Sequence, residues 1–392
     1  MAKAEATVEE LVSMIERGEL RLPEMQRRYV WKSTRVRDLL DSLYRGYPSG
    51  AILLWDSSGD VPLQDMAVSQ EMNPFQSTRL LLDGQQRLTS LSAVIRGAPV
   101  KVRGRKRPIE VLFNLNHPEG LAVVTEVEED GDEDDDLRNP DEEDSTDDEL
   151  QERLDKMTFV VSTKKLEQMA AWVRVTDVFR STSDAAFLQA AGVVRVDDPQ
   201  YVRYSARLAR LRGIRDYVYR MDVLPRELSY DEVTEIFVRV NSLGAKLRSS
   251  DLALAQITAK WRNSLKTFEA FAADCKDDGF DIGLGVHLKN LVVFASGQSR
   301  FKIVGGMPTP AIQEGWKSCK EGMDFAINFL KSNVGIDSPA LLSSPFLLIA
   351  LGYFGHAKSY RLAPDEASRL RYWALVANAK GRYSRGSSET LL

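Results

Sequence analysis

The run Leu80-Leu81-Leu82-Asp83-Gly84-Gln85-Gln86-Arg87-Leu88-Thr89-Ser90-Leu91 passes from three consecutive leucines, through an Asp-Gly turn, into leucines at helical spacing. An unbroken apolar triplet fits a buried strand, whereas Leu88, Leu91, Val94 and Ile95 recur on one side of a helix. The expected local structure is therefore strand, glycine turn, helix. The first N–H groups of a helix have no intrahelical partner, so such a turn outlines an anion site. In that reading Arg87 adds a planar cationic fork for phosphate oxygens and Asp83 holds a divalent cation. Gln85 or Gln86 orients a water for attack on phosphorus. A plainer reading stands beside it: Asp83 caps the helix and Gly84 merely permits the turn.

Toward the N-terminus, Val8, Leu11, Val12 and Ile15 share a helical face, so residues 7–17 are expected to form a helix opened by Thr7 and stopped by Gly18. A short strand at 20–23 precedes Gln26-Arg27-Arg28-Tyr29-Val30-Trp31, which gathers an amide, two guanidiniums and two large aromatics. Such groups suit a phosphate or a nucleobase. The alternative is that Tyr29 and Trp31 are core residues and the arginines reach solvent. A helix at 33–44, capped by Ser33 or Thr34, a turn at 46–50 and a buried strand at 51–55 follow.

Toward the C-terminus, strands are expected at 109–114 and 159–161, then a helical stretch from 198 in which Arg203, Arg207 and Arg210 share a face. That stripe and the basic run at 101–107 are either phosphate-backbone contacts or solvated faces. A strand at 221–224 leads to a helix at 231–240. Asn241-Ser242-Leu243-Gly244 reads as a turn, and Ser249 or Ser250 as the cap of a helix running to 261. Phe237 and Leu247 fit a core, and mainly helices follow.

The 392 residues carry 57 acids and 52 Lys plus Arg, for a formal charge of -5. Residues 126–149 hold 16 of those acids and a single base, Arg138, leaving 41 acids and 51 bases, a net +10, on the rest. The acidic stretch is expected to be a solvated insert. A 43% hydrophobic content excludes global disorder. The apolar run at 345–354 is too short for the ~20 residues a membrane span needs, and no signal-peptide pattern opens the chain, so a cytoplasmic protein without membrane contact is expected. Cys275 and Cys319 give neither a disulfide framework nor a zinc spacing. His117, His287 and His356 assemble no metal-nuclease motif, and there is no Walker A sequence.

Three motifs in order resemble the prokaryotic GmrSD N-terminal domain family, long labelled a domain of unknown function. They are Leu22-Pro23-Glu24-Met25-Gln26-Arg27-Arg28-Tyr29-Val30-Trp31, then Asp83-Gly84-Gln85-Gln86-Arg87-Leu88-Thr89-Ser90-Leu91, then Phe237-Val238-Arg239-Val240-Asn241-Ser242-Leu243-Gly244 with Leu247 and Asp251. Gly381-Arg382-Tyr383-Ser384 is similar to that family's tail. The resemblance implies an α+β fold: a ParB- and sulfiredoxin-like domain over 1–197, carrying the acidic insert, and a mainly helical domain over 198–392. It implies nucleoside-triphosphate binding and hydrolysis at Asp83, Gln85, Gln86 and Arg87, with Mg2+ on Asp83. Gly84, Gln26, Arg27, Arg239 and Asn241 then line the nucleotide. Arg28, Tyr29 and Trp31 are expected to sense DNA, modified or not, although Met25 stands where relatives have an aromatic. Many relatives carry a downstream HNH nuclease; none follows here, so a separate nuclease subunit or a longer parent protein is expected, and a homo-oligomer is among the expected assemblies. The function implied is the sensor and regulator of a DNA restriction system. A non-catalytic DNA-binding module and a ParB-like endonuclease are the alternatives.

Overall fold

The computed structural model describes residues 1–26, 28–57, 61–71, 79–97, 110–119, 154, 156–243 and 248–384. Arg27, the basic run at 101–107, the acidic insert, Gly244 and Leu247 lie outside the described residues. The chain divides into two compact units. One holds Met1–Pro23 and the described residues from 28 to 228; the other holds Glu24–Arg27 and those from 229 onward. The boundary expected at 197/198 thus falls after Leu228, because the strand near 221 is longer than its apolar core and joins the first unit's sheet.

In that unit β1 (Ala2–Thr7), β2 (Leu20–Pro23), β3 (Ile52–Asp56), β4 (Leu63–Gln64), β5 (Arg79–Asp83) and β9 (Val218–Leu224) form a mixed sheet in the order β1-β9-β3-β5-β2-β4. The leucine triplet lies in β5, with antiparallel β3 on one side and parallel β2 on the other, and all three leucines are buried. The register between β3 and β5 shifts at Leu53/Leu54, opposite Asp83. Such a bulge bends the strand where its last residue must be aimed. A second, antiparallel sheet holds β6 (Val111–Asn114), β7 (Phe159–Val161) and β8 (Trp172–Arg174) in the order β7-β6-β8.

Helix α1 (Val8–Glu16) opens as expected. Thr7 Oγ1 accepts from the Glu10 N–H at 3.2 Å while Glu10 Oε2 accepts from the Thr7 N–H at 2.7 Å. Its Val8, Leu11, Val12 and Ile15 are fully buried, each contributing about 1.5–3 kcal/mol by that burial. Helix α2 (Ser33–Arg45) starts one residue earlier than a Ser33 cap allows: its N-cap is Lys32, with no side-chain cap, and Ser33 is buried inside the first turn. Helix α3 (Gln85–Arg96) packs against α1 and against α4 (Val175–Arg180). Short α5 (Ala185–Ala190) leads to α6 (Pro199–Arg212), capped by Asp198.

The arginines of α6 differ in exposure: Arg203 and Arg210 are exposed, Arg212 is half-buried, and each is hydrogen-bonded within the first unit. Arg207 is buried and donates to the Leu115 carbonyl, Arg210 donates to the Tyr44 carbonyl at 2.9 Å, and Arg203 donates to Asn116 Oδ1 at 3.1 Å. Arg212 reaches the Val178 carbonyl and Asp184.

The second unit is helical: α7 (Tyr230–Leu243), α8 (Ser249–Lys260), α9 (Ser264–Asp277), α10 (Leu284–Ser296), α11 (Thr309–Phe329), α12 (Phe346–Ala357) and α13 (Pro364–Ala379). Helix α11 packs on α10 and α12, and Trp261, Phe268, Phe271 and Trp316 meet edge-on in its core. Cys275 and Cys319 are buried free thiols. Asn241 to Leu243 continue α7 rather than turning, since the Asn241 amide donates back to the Phe237 carbonyl at 2.8 Å within the helix. Neither Ser249 nor Ser250 caps α8, whose N-cap is Arg248. Helix α9 follows Asn263, held at φ 62° without a side-chain cap, and is capped instead from far away in sequence. The Glu24 carboxylate accepts from the Asn263 N–H at 2.8 Å and the Leu265 N–H at 2.7 Å. Burial raises the Glu24 pKa above its ordinary range, and these two N–H groups oppose that rise. Glu24→Ala should cost about 1.5–3 kcal/mol, the usual loss for hydrogen bonds to a charged group, measurable in urea unfolding.

His117 yields the pH dependence. Burial, with Arg207, Arg45 and Arg210 nearby, lowers its pKa from 6.5 to about 4, while Tyr44 Oη lies 3.0 Å from Nε2. The unfolded imidazole binds its proton near pH 6.5, before the folded one does, so stability is full above pH 6.5 and falls as pH drops toward 4. The loss is about 3 kcal/mol over that interval. His117→Gln should flatten the decline of the melting temperature between pH 6.5 and 4; an unchanged slope would contradict the assignment.

Candidate functional site

At the end of β5 the chain turns through Gly84, whose φ of 96° is in the left-handed region. A Cβ there would also lie 2.3 Å from Ile52 Cδ1, so the position needs glycine for both its dihedral and its space. The Leu88 N–H donates to the Gly84 carbonyl at 2.9 Å, which makes it the first helical bond of α3. Gln85, Gln86 and Arg87 precede it, and no side chain caps this helix start. Asp83 is therefore not an N-cap. Its Oδ2 pairs instead with Arg87 Nη2 at 3.0 Å, one turn along, and its side chain stays 45% exposed.

Arg87 is 13% exposed and spends its donors on the fold. Nη1 donates to the Ser49 carbonyl, and Nη2 to the Ala51 carbonyl at 2.8 Å as well as to Asp83. Gly50, at φ 88°, wraps the guanidinium so closely that a Cβ would lie 2.6 Å from Nη1. Ser49 Oγ donates to Tyr219 Oη at 2.9 Å, and Arg87 lies 5.9 Å from the centre of the Tyr219 ring. Burial pushes the Tyr219 hydroxyl pKa up. Tyr217 stands edge-on to Tyr219 with centroids 5.1 Å apart, and the Ser49 N–H donates to its hydroxyl. Ser49, Gly50, Tyr217 and Tyr219 were not among the residues picked out from sequence. The available signals were the Gly46-Tyr47-Pro48-Ser49-Gly50 turn and the period-two spacing of the two tyrosines, which puts them on one face of an extended segment.

Gln86 holds the 28–31 loop. Its Oε1 accepts from the Val30 N–H at 2.9 Å and the Trp31 N–H at 3.2 Å, and its Nε2 donates to the Arg28 carbonyl at 3.3 Å. Tyr29 is buried in the core with its hydroxyl 2.8 Å from Ser90 Oγ, which itself donates to the Gln86 carbonyl. Trp31 is partly buried against the same core, and Arg28 is exposed. The structure thus brings Asp83, Gly84, Gln85, Gln86, Arg87, Arg28, Tyr29 and Trp31 together in the first unit. Gln26, Arg239 and Asn241 belong to the second. There Gln26 is buried, and Arg239, 73% exposed, pairs with Glu235 at 2.7 Å.

The residues 8–258 match the family of the GmrSD restriction endonuclease, N-terminal domain. The chain belongs to that family. That family is named for the N-terminal part of a restriction endonuclease. Over 114 residues the chain is 31% identical to an uncharacterized protein of Methanocaldococcus jannaschii, an alignment covering 27% of this chain and 20% of that one. The chain thus spans about a fifth of the length of the curated relative it matches. No helix among the described residues is long and apolar enough to cross a membrane. Nor do three or more His, Cys, Asp or Glu side chains among them gather as a metal-ligand set.

Gln86→Ala should release the 28–31 backbone, with faster hydrogen exchange at the Val30 and Trp31 amides and a loss of about 1 kcal/mol of stability. Unchanged exchange at those two amides would show that the latch does not hold the loop.

Proposed function

We propose that this chain is the nucleoside-triphosphate-binding and hydrolysing regulator of a DNA restriction system, with its phosphate site at Asp83–Arg87. The observation that supports the reading is the uncapped start of α3 beside a half-exposed carboxylate. Three N–H groups without a partner among the described residues, and the positive end of the helix dipole, favour an anion there. Mg2+ is commonly held by one or two carboxylates plus substrate phosphates and water, and Asp83 is the residue that would hold it. The metal would neutralise charge on the phosphate chain. Arg87 acts chiefly by fixing Asp83 and the Ser49–Ala51 turn, so its contribution to phosphate is one of placement.

The exposed Arg28 is the residue of the neighbouring loop best placed for a DNA phosphate, and a nuclease, on the same protein or on a partner, would supply strand cleavage. Binding of GTP, ATP and CTP should require Mg2+ and be followed by phosphate release. Asp83→Asn should weaken Mg2+-triphosphate binding about tenfold or more, equivalent to about 1.4 kcal/mol. The melting temperature should barely change, because a half-exposed ion pair contributes little. Unaltered affinity in Asp83→Asn would remove the site assignment, and a parent chain that binds no triphosphate would remove the function.

A further inference from the structure

Strand β1 closes one end of the first unit's sheet, and its outer edge carries no strand among the described residues. The strand at the opposite end, β4, has 2 residues, whereas β1 has 6. A long open edge displays unpaired N–H and C=O groups to any strand that can reach them. The register identifies those groups. Val8, the residue after β1, donates its N–H to the Tyr217 carbonyl at 2.9 Å. Antiparallel ladders alternate residues that bond inward with residues that face out. Ala2, Ala4 and Ala6 therefore bond to β9, while Lys3, Glu5 and Thr7 turn their backbone to the open edge. The Thr7 N–H agrees, for it goes to Glu10 Oε2 at 2.7 Å instead of to β9. Lys3 and Glu5 are left, both exposed, with neither N–H nor carbonyl partnered among the described residues.

Side-chain charge on this edge alternates. Across the ladder Lys3 stands opposite Asp222 and Glu5 opposite Arg220, on the face away from Ala4 and Ala6, which pack on the core. A lone lysine commonly guards an edge against pairing, but lysine and glutamate at alternate positions make this one complementary to itself. Laid antiparallel against its own copy about a two-fold axis through Ala4, the strand sets Lys3 opposite Glu5 on each side of the axis. The outward N–H and C=O groups of those residues then exchange hydrogen bonds. Each charge lies between opposite ones, in the row Asp222, Lys3, the partner's Glu5, the partner's Arg220. A slip of two residues sets Lys3 against Lys3 or Glu5 against Glu5, which cross-strand pairs disfavour. A slip of one sets outward groups against inward ones. We propose that β1 is the edge through which two copies of this chain associate, in that one register, joining their sheets across a closed two-fold axis. The contact is small, so the dimer is weak and concentration-dependent.

The test is sedimentation of the full chain across a concentration series. The parent should pass from monomer to dimer as concentration rises, and less readily in high salt. Lys3→Glu alone and Glu5→Lys alone each set like charges opposite one another, so self-association should weaken about tenfold or more. Their melting temperatures should stay near the parent's, because exposed charges contribute little. An equal mixture of the two variants restores opposite charges between the copies, and dimers should return. Lys3→Cys chains mixed with Glu5→Cys chains should form a disulfide between copies, since directly opposite residues have Cα atoms about 5.5 Å apart. Neither variant should do so alone, and Cys275 and Cys319 are buried and do not compete. A parent that stays monomeric overturns the proposal, whether the edge is vacant or kept for another protein's strand. So do charge variants that dimerise like the parent, a mixture that stays monomeric, and a disulfide that joins the cysteines of two Lys3→Cys chains or of two Glu5→Cys chains.

Discussion

The guanidinium of Arg87 is the point on which the candidate site depends. One planar group joins the carbonyls of Ser49 and Ala51 to the carboxylate of Asp83, and so fixes the turn before β3 against the end of β5 and the start of α3. A planar fork holds these acceptors in fixed relative positions, whereas a lysine ammonium would offer a point charge on a flexible stem. The two glycines follow from it. Gly50 must let the guanidinium approach and Gly84 must leave room for Ile52, and both lie at positive φ. Asp83 is thereby held at one oxygen while its side chain remains half exposed.

Much of this was legible where the signal is local. The Thr7–Glu10 capping box and the Val8, Leu11, Val12, Ile15 spacing give α1, and the leucine triplet followed by Asp-Gly gives the β5 turn with an (i, i+4) relation between Asp83 and Arg87. What escaped sequence reading depends on partners distant in the chain. Spacing shows that Arg203, Arg207 and Arg210 share a face, but not that Arg207 and Arg210 reach the carbonyls of Leu115 and Tyr44. Asn241 looked like a turn because its amide favours one in isolation; within α7 the same amide finds the Phe237 carbonyl and the helix runs on. Of the two glutamines, sequence could say only that either amide fitted the chemistry, since the Arg28–Trp31 backbone that claims Gln86 lies more than fifty residues away.

The motif around residues 22–31 is two devices written in one stretch. Glu24 serves the second unit, where its carboxylate supplies the cap that α9 lacks. Tyr29 serves the first, where its hydroxyl meets Ser90 and the loop beside it is held by Gln86. Met25, read from sequence as a departure at a recognition position, is fully buried and accepts from Thr234 Oγ1 at 3.7 Å. Its side chain answers to packing in the second unit, so its identity carries little information about any ligand.

Charge is the remaining thread. Outside the acidic stretch the chain carries a net +10, but many of its arginines are fixed inside the first unit. A carbonyl that accepts from a guanidinium fixes its position without cancelling its charge, unlike the carboxylates that meet Arg96 and Arg212. Arg207 and Arg210 are of the carbonyl-held kind. His117 reports the consequence, because after burial itself the next influences that keep its ring from protonating, opposing the Pro118 carbonyl that favours the proton, are Arg207, Arg45 and Arg210. Arg207 and Arg210 thus keep their charge beside His117 while neutral backbone carbonyls fix where that charge lies.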